Sequence, residues 1–176
     1  MNFQTVSLVG AYLIDLDPVA DDRGFFARAW CEREFAEHEL DPRVRQCNLS
    51  FNHSKGTLRG MHYQIEPYQE TKFVRCIRGG IYDVIIDLRP TSATYLRWFG
   101  VELTATNRRL LYVPKGFAHG YQTLEDDSEV FYQVSEFYQP GSEGGIRWDD
   151  PTFGIDWPLG VTLISDKDRS LPDFAP

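Results

Sequence analysis

The stretch Lys55-Gly56-Thr57-Leu58-Arg59-Gly60-Met61-His62-Tyr63-Gln64 decides how the rest of this chain reads. Thr57 to Gln64 has the length and composition of a strand, entered through one glycine and interrupted by another. Gly60 separates a cation, Arg59, from a titratable imidazole, His62. The missing side chain there lets a ligand or another backbone come close. Lys72 opens the next strand-like run. A His, an Arg and a Lys on neighbouring strands would make a site for an anionic ligand with a base beside it.

Working outward, the pattern stays β. Lys72 to Arg78 is strand-length, and Gly79-Gly80 then joins it to Ile81–Leu88 at the two-residue spacing of a hairpin. Ile81–Leu88 is apolar on both faces, as a central strand is. Further strands are expected at 43–51, 96–104, 110–113, 118–124 and 130–137. Upstream, 4–14 reads as a strand broken at Gly10, Asp15 to Gly24 as a loop, and Phe25 to Trp30 as a short strand. Glu32 to Leu40, ended by Asp41-Pro42, is the one convincing helix; it is charged on most positions and therefore belongs on the surface. Past Gln139 the tail reads as ordered but irregular. The expectation is all-β: an antiparallel sandwich or barrel with one short surface helix, forming a single domain over 1–176.

Composition narrows the function. The chain has 176 residues, 42% hydrophobic and 14% aromatic, enough to bury a core. The net charge of −8, without a basic run, argues against nucleic-acid binding, so an anionic ligand would need a local cluster of cations. No window reaches a membrane span and no signal peptide is visible, so a cytoplasmic location is expected. Cys31, Cys47 and Cys76 form neither a disulfide framework nor a zinc pattern; free thiols filling small apolar gaps are expected.

His62 is one of only four histidines and is suited to exchange a proton near neutral pH. His119 lies in Val113-Pro114-Lys115-Gly116-Phe117-Ala118-His119-Gly120. With His53 these could be read as metal ligands. The His-x-His spacing of metal-binding cupins is missing, however, because Gly60 stands at its first position, so neither a metal nor any other cofactor is expected. Tyr132 and Tyr138 are candidates for an acid or a stacking ring. Asp83 and Asp168 are the carboxylates to pair with histidines, since an Asp accepting from one ring nitrogen fixes the tautomer. Asp83 lies in an apolar strand, where a charge needs a partner. No nucleophile elbow and no phosphate-binding glycine loop is present.

Taken in order, the motifs resemble those of the dTDP-4-dehydrorhamnose 3,5-epimerase family, built on a cupin-like jelly roll. They are Asp22-Arg23-Gly24-Phe25-Phe26, Gln46-Cys47-Asn48-Leu49-Ser50, Gly56 to Gln64, Lys72-Phe73-Val74-Arg75, Pro114 to Gly120, Tyr132, Tyr138 and Lys167-Asp168. The resemblance implies metal-free proton transfer beside the ketone of a nucleoside diphosphate 4-keto-6-deoxyhexose. His62, oriented by Asp168, would be the base, Lys72 would stabilise the enolate oxygen, and Tyr132 would return a proton from the opposite face. Arg23 and Arg59 would hold the diphosphate. Gln46 and Asn48 would help hold the nucleotide and Tyr138 would stack near its base, while His119, Glu143 and Lys167 would line the site. A homodimer exchanging N-terminal strands is implied too, with Arg23 and Phe26 serving the neighbouring subunit.

The chain also departs from the family pattern. Arg28 stands where Glu is usual, Cys47 where Asp is, Gln133 where Lys is, and Gln69-Glu70-Thr71 replaces the usual Gln-Gly before Lys72. If position 28 faces the base, Arg28 suits a base presenting an acceptor, which leaves CDP or GDP open beside dTDP. Two other functions also stay open: a sugar-nucleotide keto-isomerase, and a non-catalytic sugar-nucleotide-binding jelly roll.

Overall fold

The structure is a computed structural model that describes residues 1–175. Its strands in chain order are β1 (Asn2–Thr5), β2 (Tyr12–Asp15), β3 (Val19–Asp21), β4 (Gly24–Phe26), β5 (Gln46–Asn52), β6 (Thr57–Gln64) and β7 (Lys72–Arg78). They continue as β8 (Gly80–Asp87), β9 (Trp98–Thr104), β10 (Leu110–Val113), β11 (Phe117–Thr123), β12 (Ser128–Val134), β13 (Glu143–Gly145) and β14 (Leu163–Ile164). Two short helices, α1 (Glu32–Glu37) and α2 (Asp166–Arg169), complete the set.

One sheet has the order β1-β2-β10-β7-β12-β5 and the other β13-β6-β11-β8-β9, with β14 parallel to β6. Alternation along each strand sends one set of side chains between the sheets. That shared layer holds Val74, Cys76, Ile81, Ile85, Leu103, Leu111, Phe117, Tyr121 and Val130. The first sheet's outer face is covered by α1 through Phe35, which packs with Phe73 and Tyr112. The second sheet's outer face packs Met61, Val84, Ile86 and Ala118 under Ile146 and Phe153 of the C-terminal tail. The fold is an antiparallel jelly roll of the cupin-like kind.

Several expectations are corrected. Gly79-Gly80 does not close a hairpin: β7 and β8 belong to different sheets, and the chain changes sheet at Gly79, where φ is +70°. The composition of a two-residue turn cannot distinguish pairing in a plane from stepping between planes. For the same reason β6 and β7 are not neighbours in one sheet, so Arg59 and His62 face Lys72 across the sandwich. Asp15–Gly24 is not all loop, because β3 and β4 form an exposed hairpin that pairs only with itself. Helix α1 is shorter than expected; the chain leaves it where Glu39 takes a left-handed φ of +59°. The second helix, α2, was not expected; its start was signalled by Ser165, whose Oγ accepts from the Asp168 N–H at 3.0 Å. Cys47 is exposed and fills no gap, whereas Cys76 is buried and desolvation pushes its thiol up to about 11.

Candidate active site

Strand β6 shows how the sequence builds the site. In a regular strand Arg59 and His62, three apart, would face opposite sides. Here His119 pairs with His62 but Tyr121 pairs with Arg59, so β6 spends three residues where β11 spends two. Such a bulge turns both side chains to one face. It needs glycine on both strands: a Cβ on Gly60 would stand 2.5 Å from Gly120 Cα, and one on Gly120 would stand 2.7 Å from the Arg59 carbonyl. The glycine that interrupts the decisive stretch is therefore what places its cation and its imidazole together.

From the opposite sheet, regular alternation supplies the rest. Gln46, Asn48 and Ser50 share one face of β5, Tyr132 stands opposite Asn48 on β12, and Lys72 stands opposite Val134 on β7. These side chains bound two adjoining cavities. The larger, about 520 Å³, takes in Gln46, Asn48, Glu70, Tyr138, Glu143 and Lys167. The smaller, about 330 Å³, takes in Ser50, Arg59, His119, Tyr121 and Asp168. Four residues line both: His62, Lys72, Tyr132 and Lys167. The junction of the cavities is where a base, a cation and a phenol converge from opposed sheets.

His62 Nε2 lies 2.7 Å from Asp168 Oδ1, while Asp168 Oδ2 accepts from the Gly60 N–H at 3.2 Å. Burial pushes the Asp168 carboxyl up, but the hydrogen bond from His62 and its charge, helped by the Gly60 N–H and by Ser165, hold it below the usual carboxylate range. A carboxylate only accepts, so Nε2 carries the hydrogen and Nδ1 keeps the lone pair. His62 thus presents a free ring nitrogen, with its tautomer fixed from behind. His119 makes a second pair, Nε2 to Asp83 Oδ1 at 2.6 Å, almost wholly buried. The carboxylate in the apolar strand has its partner.

Lys72 donates to Glu70 Oε1 at 2.7 Å. Arg59 donates through Nε to Asn52 Oδ1 at 2.7 Å. Burial and then the negative charge of Glu70 push the Tyr132 phenol above its ordinary value, against the pull of Arg59. Tyr132 is therefore held protonated, the state a proton donor needs. Lys167 donates to Glu143 at 2.9 Å, and that cation, after burial's smaller opposite effect, leaves the Glu143 carboxyl lowered. Among the described residues no three His, Cys, Asp or Glu side chains are grouped to hold a metal; His53 is exposed, 4.0 Å from Asp127.

Three expected residues are not brought to this cleft. Arg23 is 90% exposed on the β3–β4 hairpin and paired to Asp21. Phe26 is 74% exposed on the same hairpin. Arg28 donates to Glu34 Oε1 at 3.0 Å, so its charge is taken up at the surface. Conversely, Tyr63, Gln64, Glu70 and Tyr121 line the cavities without having been singled out as site residues. Tyr121 was findable, since it shares the parity of His119 on β11. Glu70 was visible only as a departure in the turn before Lys72.

A two-sheet jelly roll that opens on a fixed-tautomer histidine, a lysine and a protonated tyrosine defines a cupin-like enzyme equipped for acid–base chemistry. Residues 5–176 match the family model described as dTDP-4-dehydrorhamnose 3,5-epimerase. A protein of that name from Methanothermobacter thermautotrophicus is 46% identical over 171 residues, 96% of this chain and 91% of that one. The crystal structure of the Elizabethkingia anophelis dTDP-4-dehydrorhamnose 3,5-epimerase superposes with a TM-score of 0.96 at 35% identity, covering 99% of this chain and 96% of that one. The Bacillus anthracis enzyme, solved with TDP and PPi bound, gives 0.95 at 38% identity, with coverages of 98% and 99%. The chain belongs to the dTDP-4-dehydrorhamnose 3,5-epimerase family, whose members are isomerases.

Proposed function

We propose that this protein inverts C3, C5 or both in a nucleoside diphosphate 4-keto-6-deoxyhexose, with dTDP as the carrier. The observation that carries the reading is that base and acid reach the cavity junction from opposite sheets, His62 from β6 and Tyr132 from β12. Inversion at a carbon needs a proton removed from one face and returned to the other.

The C4 ketone acidifies the hydrogens on the adjoining carbons. His62 Nδ1 takes one of them, and the electron pair moves into the C4 carbonyl as an enolate. The Lys72 ammonium stabilises that oxyanion, the electrostatic contribution such a step needs most. Tyr132 then protonates the carbon from the far side, and solvent exchange resets imidazolium and phenolate. Asp168 supports the imidazolium; His119, held by Asp83, lines the smaller cavity with Arg59, whose guanidinium suits a diphosphate. Gln46, Asn48, Tyr138, Glu143 and Lys167 give the larger cavity a polar wall with one exposed ring, fitted to a nucleoside. The TDP bound by the Bacillus anthracis relative supports dTDP, and the surface ion pair of Arg28 with Glu34 weakens the electrostatic argument for another base.

The protein acts as a single-domain homodimer in the cytoplasm. The β3–β4 hairpin carries the exposed Val19, Phe25 and Phe26, and Leu49, Phe51 and Ile77 are exposed elsewhere on the chain. Those apolar side chains favour a second copy, to which the hairpin would deliver Arg23 and Phe26. Three free cysteines fit a reducing compartment, and no described helix is long and apolar enough to cross a membrane.

Proton NMR in D₂O, with dTDP-, CDP- and GDP-linked 4-keto-6-deoxyhexoses and with His62→Ala as control, tests the proposal. Deuterium at C3, C5 or both, absent in the variant, is expected with the dTDP sugar. Exchange at C3 or C5 only with CDP or GDP forms would overturn the nucleotide. Binding without exchange would indicate a binding module, and isomerisation without Tyr132 would indicate a keto-isomerase.

A further inference from the structure

Among the described residues Glu70 is the one carboxylate that meets Lys72. Its Oε1 accepts from Lys72 Nζ at 2.7 Å and its Oε2 from Gln64 Nε2 at 3.2 Å, with side-chain exposures of only 12% for the lysine and 10% for the glutamate. Gln64 is itself anchored: its amide also donates to the Tyr68 carbonyl at 3.0 Å, and its Oε1 accepts from the Gln139 N–H at 2.9 Å. Glu70 therefore hangs between β6 and β7, with one oxygen fixed to the second sheet and the other holding a side chain of the first. A lysine with four rotatable bonds has no preferred direction of its own. Here its direction comes from Glu70.

From this geometry we infer that Glu70 is a positioning residue, which aims the Lys72 ammonium at the cavity junction and supplies the negative charge facing Tyr132. This role rests on the epimerase reading above. Among the described residues, the charged and titratable groups lining the two cavities that Tyr132 joins are Glu70 and Lys72 from the β7 side, Arg59, His62 and Tyr63 from β6, His119 and Tyr121 from β11, Tyr138 and Glu143 from the β13 side, and Lys167 and Asp168 from α2. Asp168 is committed to His62 and Glu143 to Lys167. Glu70 is the carboxylate whose charge favours the phenol over the phenolate, second to burial and against Arg59. The same side chain thus serves both halves of the reaction, orienting the cation that receives the enolate charge and keeping the proton on its donor.

Glu70→Ala, Glu70→Gln and wild type are compared by steady-state kinetics, and by ¹³C NMR titration of ring-labelled tyrosine with Tyr132→Phe assigning the resonance. Glu70→Ala frees the ammonium, and kcat is expected to fall roughly 10- to 100-fold with KM within about twofold. Glu70→Gln keeps an acceptor of the same shape and is expected to recover several-fold of that loss. Because it removes the charge, its Tyr132 resonance is expected to titrate at lower pH than in wild type. Wild-type kcat in Glu70→Ala, or an unmoved Tyr132 titration in Glu70→Gln, overturns the inference. The titration needs no substrate, so a wild type that exchanges no deuterium sinks the epimerase reading while Glu70 is still judged.

Discussion

Replacing Asp168 with asparagine isolates the tautomer argument. Asp168 is 5% exposed and divides its oxygens between His62 Nε2 at 2.7 Å and the Gly60 N–H at 3.2 Å. Asparagine fits the same space and keeps one acceptor. The Gly60 N–H claims that oxygen, since a backbone donor cannot reverse its role, and the amide NH₂ is left facing His62. The imidazole answers by accepting at Nε2, which moves its hydrogen to Nδ1, the nitrogen proposed to take the substrate proton. The base is present, correctly placed and already protonated. A wrong-tautomer change of this kind costs about 10³- to 10⁴-fold in kcat, or about 4 to 5.5 kcal/mol of transition-state stabilisation. The assay is initial-rate deuterium incorporation at C3 and C5 by NMR, with thermal unfolding as the control for folding. Asp168→Ala, which imposes no tautomer, is expected to lose no more than Asp168→Asn. An Asp168→Asn enzyme within tenfold of wild type would refute the reasoning, since Nδ1 would then be free without the carboxylate.

Three other outcomes are expected. Tyr132→Phe keeps the proposed base but removes the proposed far-side proton donor, so NMR is expected to show continued deuterium incorporation with net inversion reduced about 10²- to 10⁴-fold. Lys72→Ala removes the cation proposed to meet the enolate; kcat is expected to fall about 10²- to 10³-fold, measured by the same exchange. Asp87, buried and bonded to Arg89, Ser92 and Thr94, is pushed up by burial but brought by those hydrogen bonds to about 2, below an ordinary carboxylate. Its stabilisation is present above the unfolded value near 3.8 and is lost as pH falls towards 2. Asp87→Asn is expected to cost about 1 to 2 kcal/mol in denaturant unfolding at pH 7, and progressively less as pH falls through about 2.

Strands with strong local character are legible in the sequence. Thr57–Gln64, Lys72–Arg78 and Leu110–Val113 have the bounds expected of them, because β-branched and apolar runs between turn residues leave little choice. What sequence could not give was which sheet a strand joins. Gly79-Gly80 carries a hairpin's composition yet steps between layers, because pairing is decided by long-range contacts. In the site, the residues on β6, β7, β11 and β12 could be named from their chemistry. The bulge that turns Arg59 and His62 to one face could not, since it depends on two glycines 60 residues apart meeting across strands. Glu70 was hidden for a related reason. A charged residue in a turn reads as solvated until another strand closes over it.

The pairing of His62 with Asp168 spans 106 residues of chain, from the sixth strand to the last helix. During synthesis, most of both sheets can have left the ribosome and begun to pair before Asp168 exists as a folded residue. Until then nothing fixes the tautomer of the imidazole, and under the proposed mechanism a half-made protein would be a poorer base towards its substrate and towards related ketones. Under the proposed mechanism full activity waits for that contact, so its appearance in a timed translation reaction is expected to follow closure of the C-terminal segment over the sandwich.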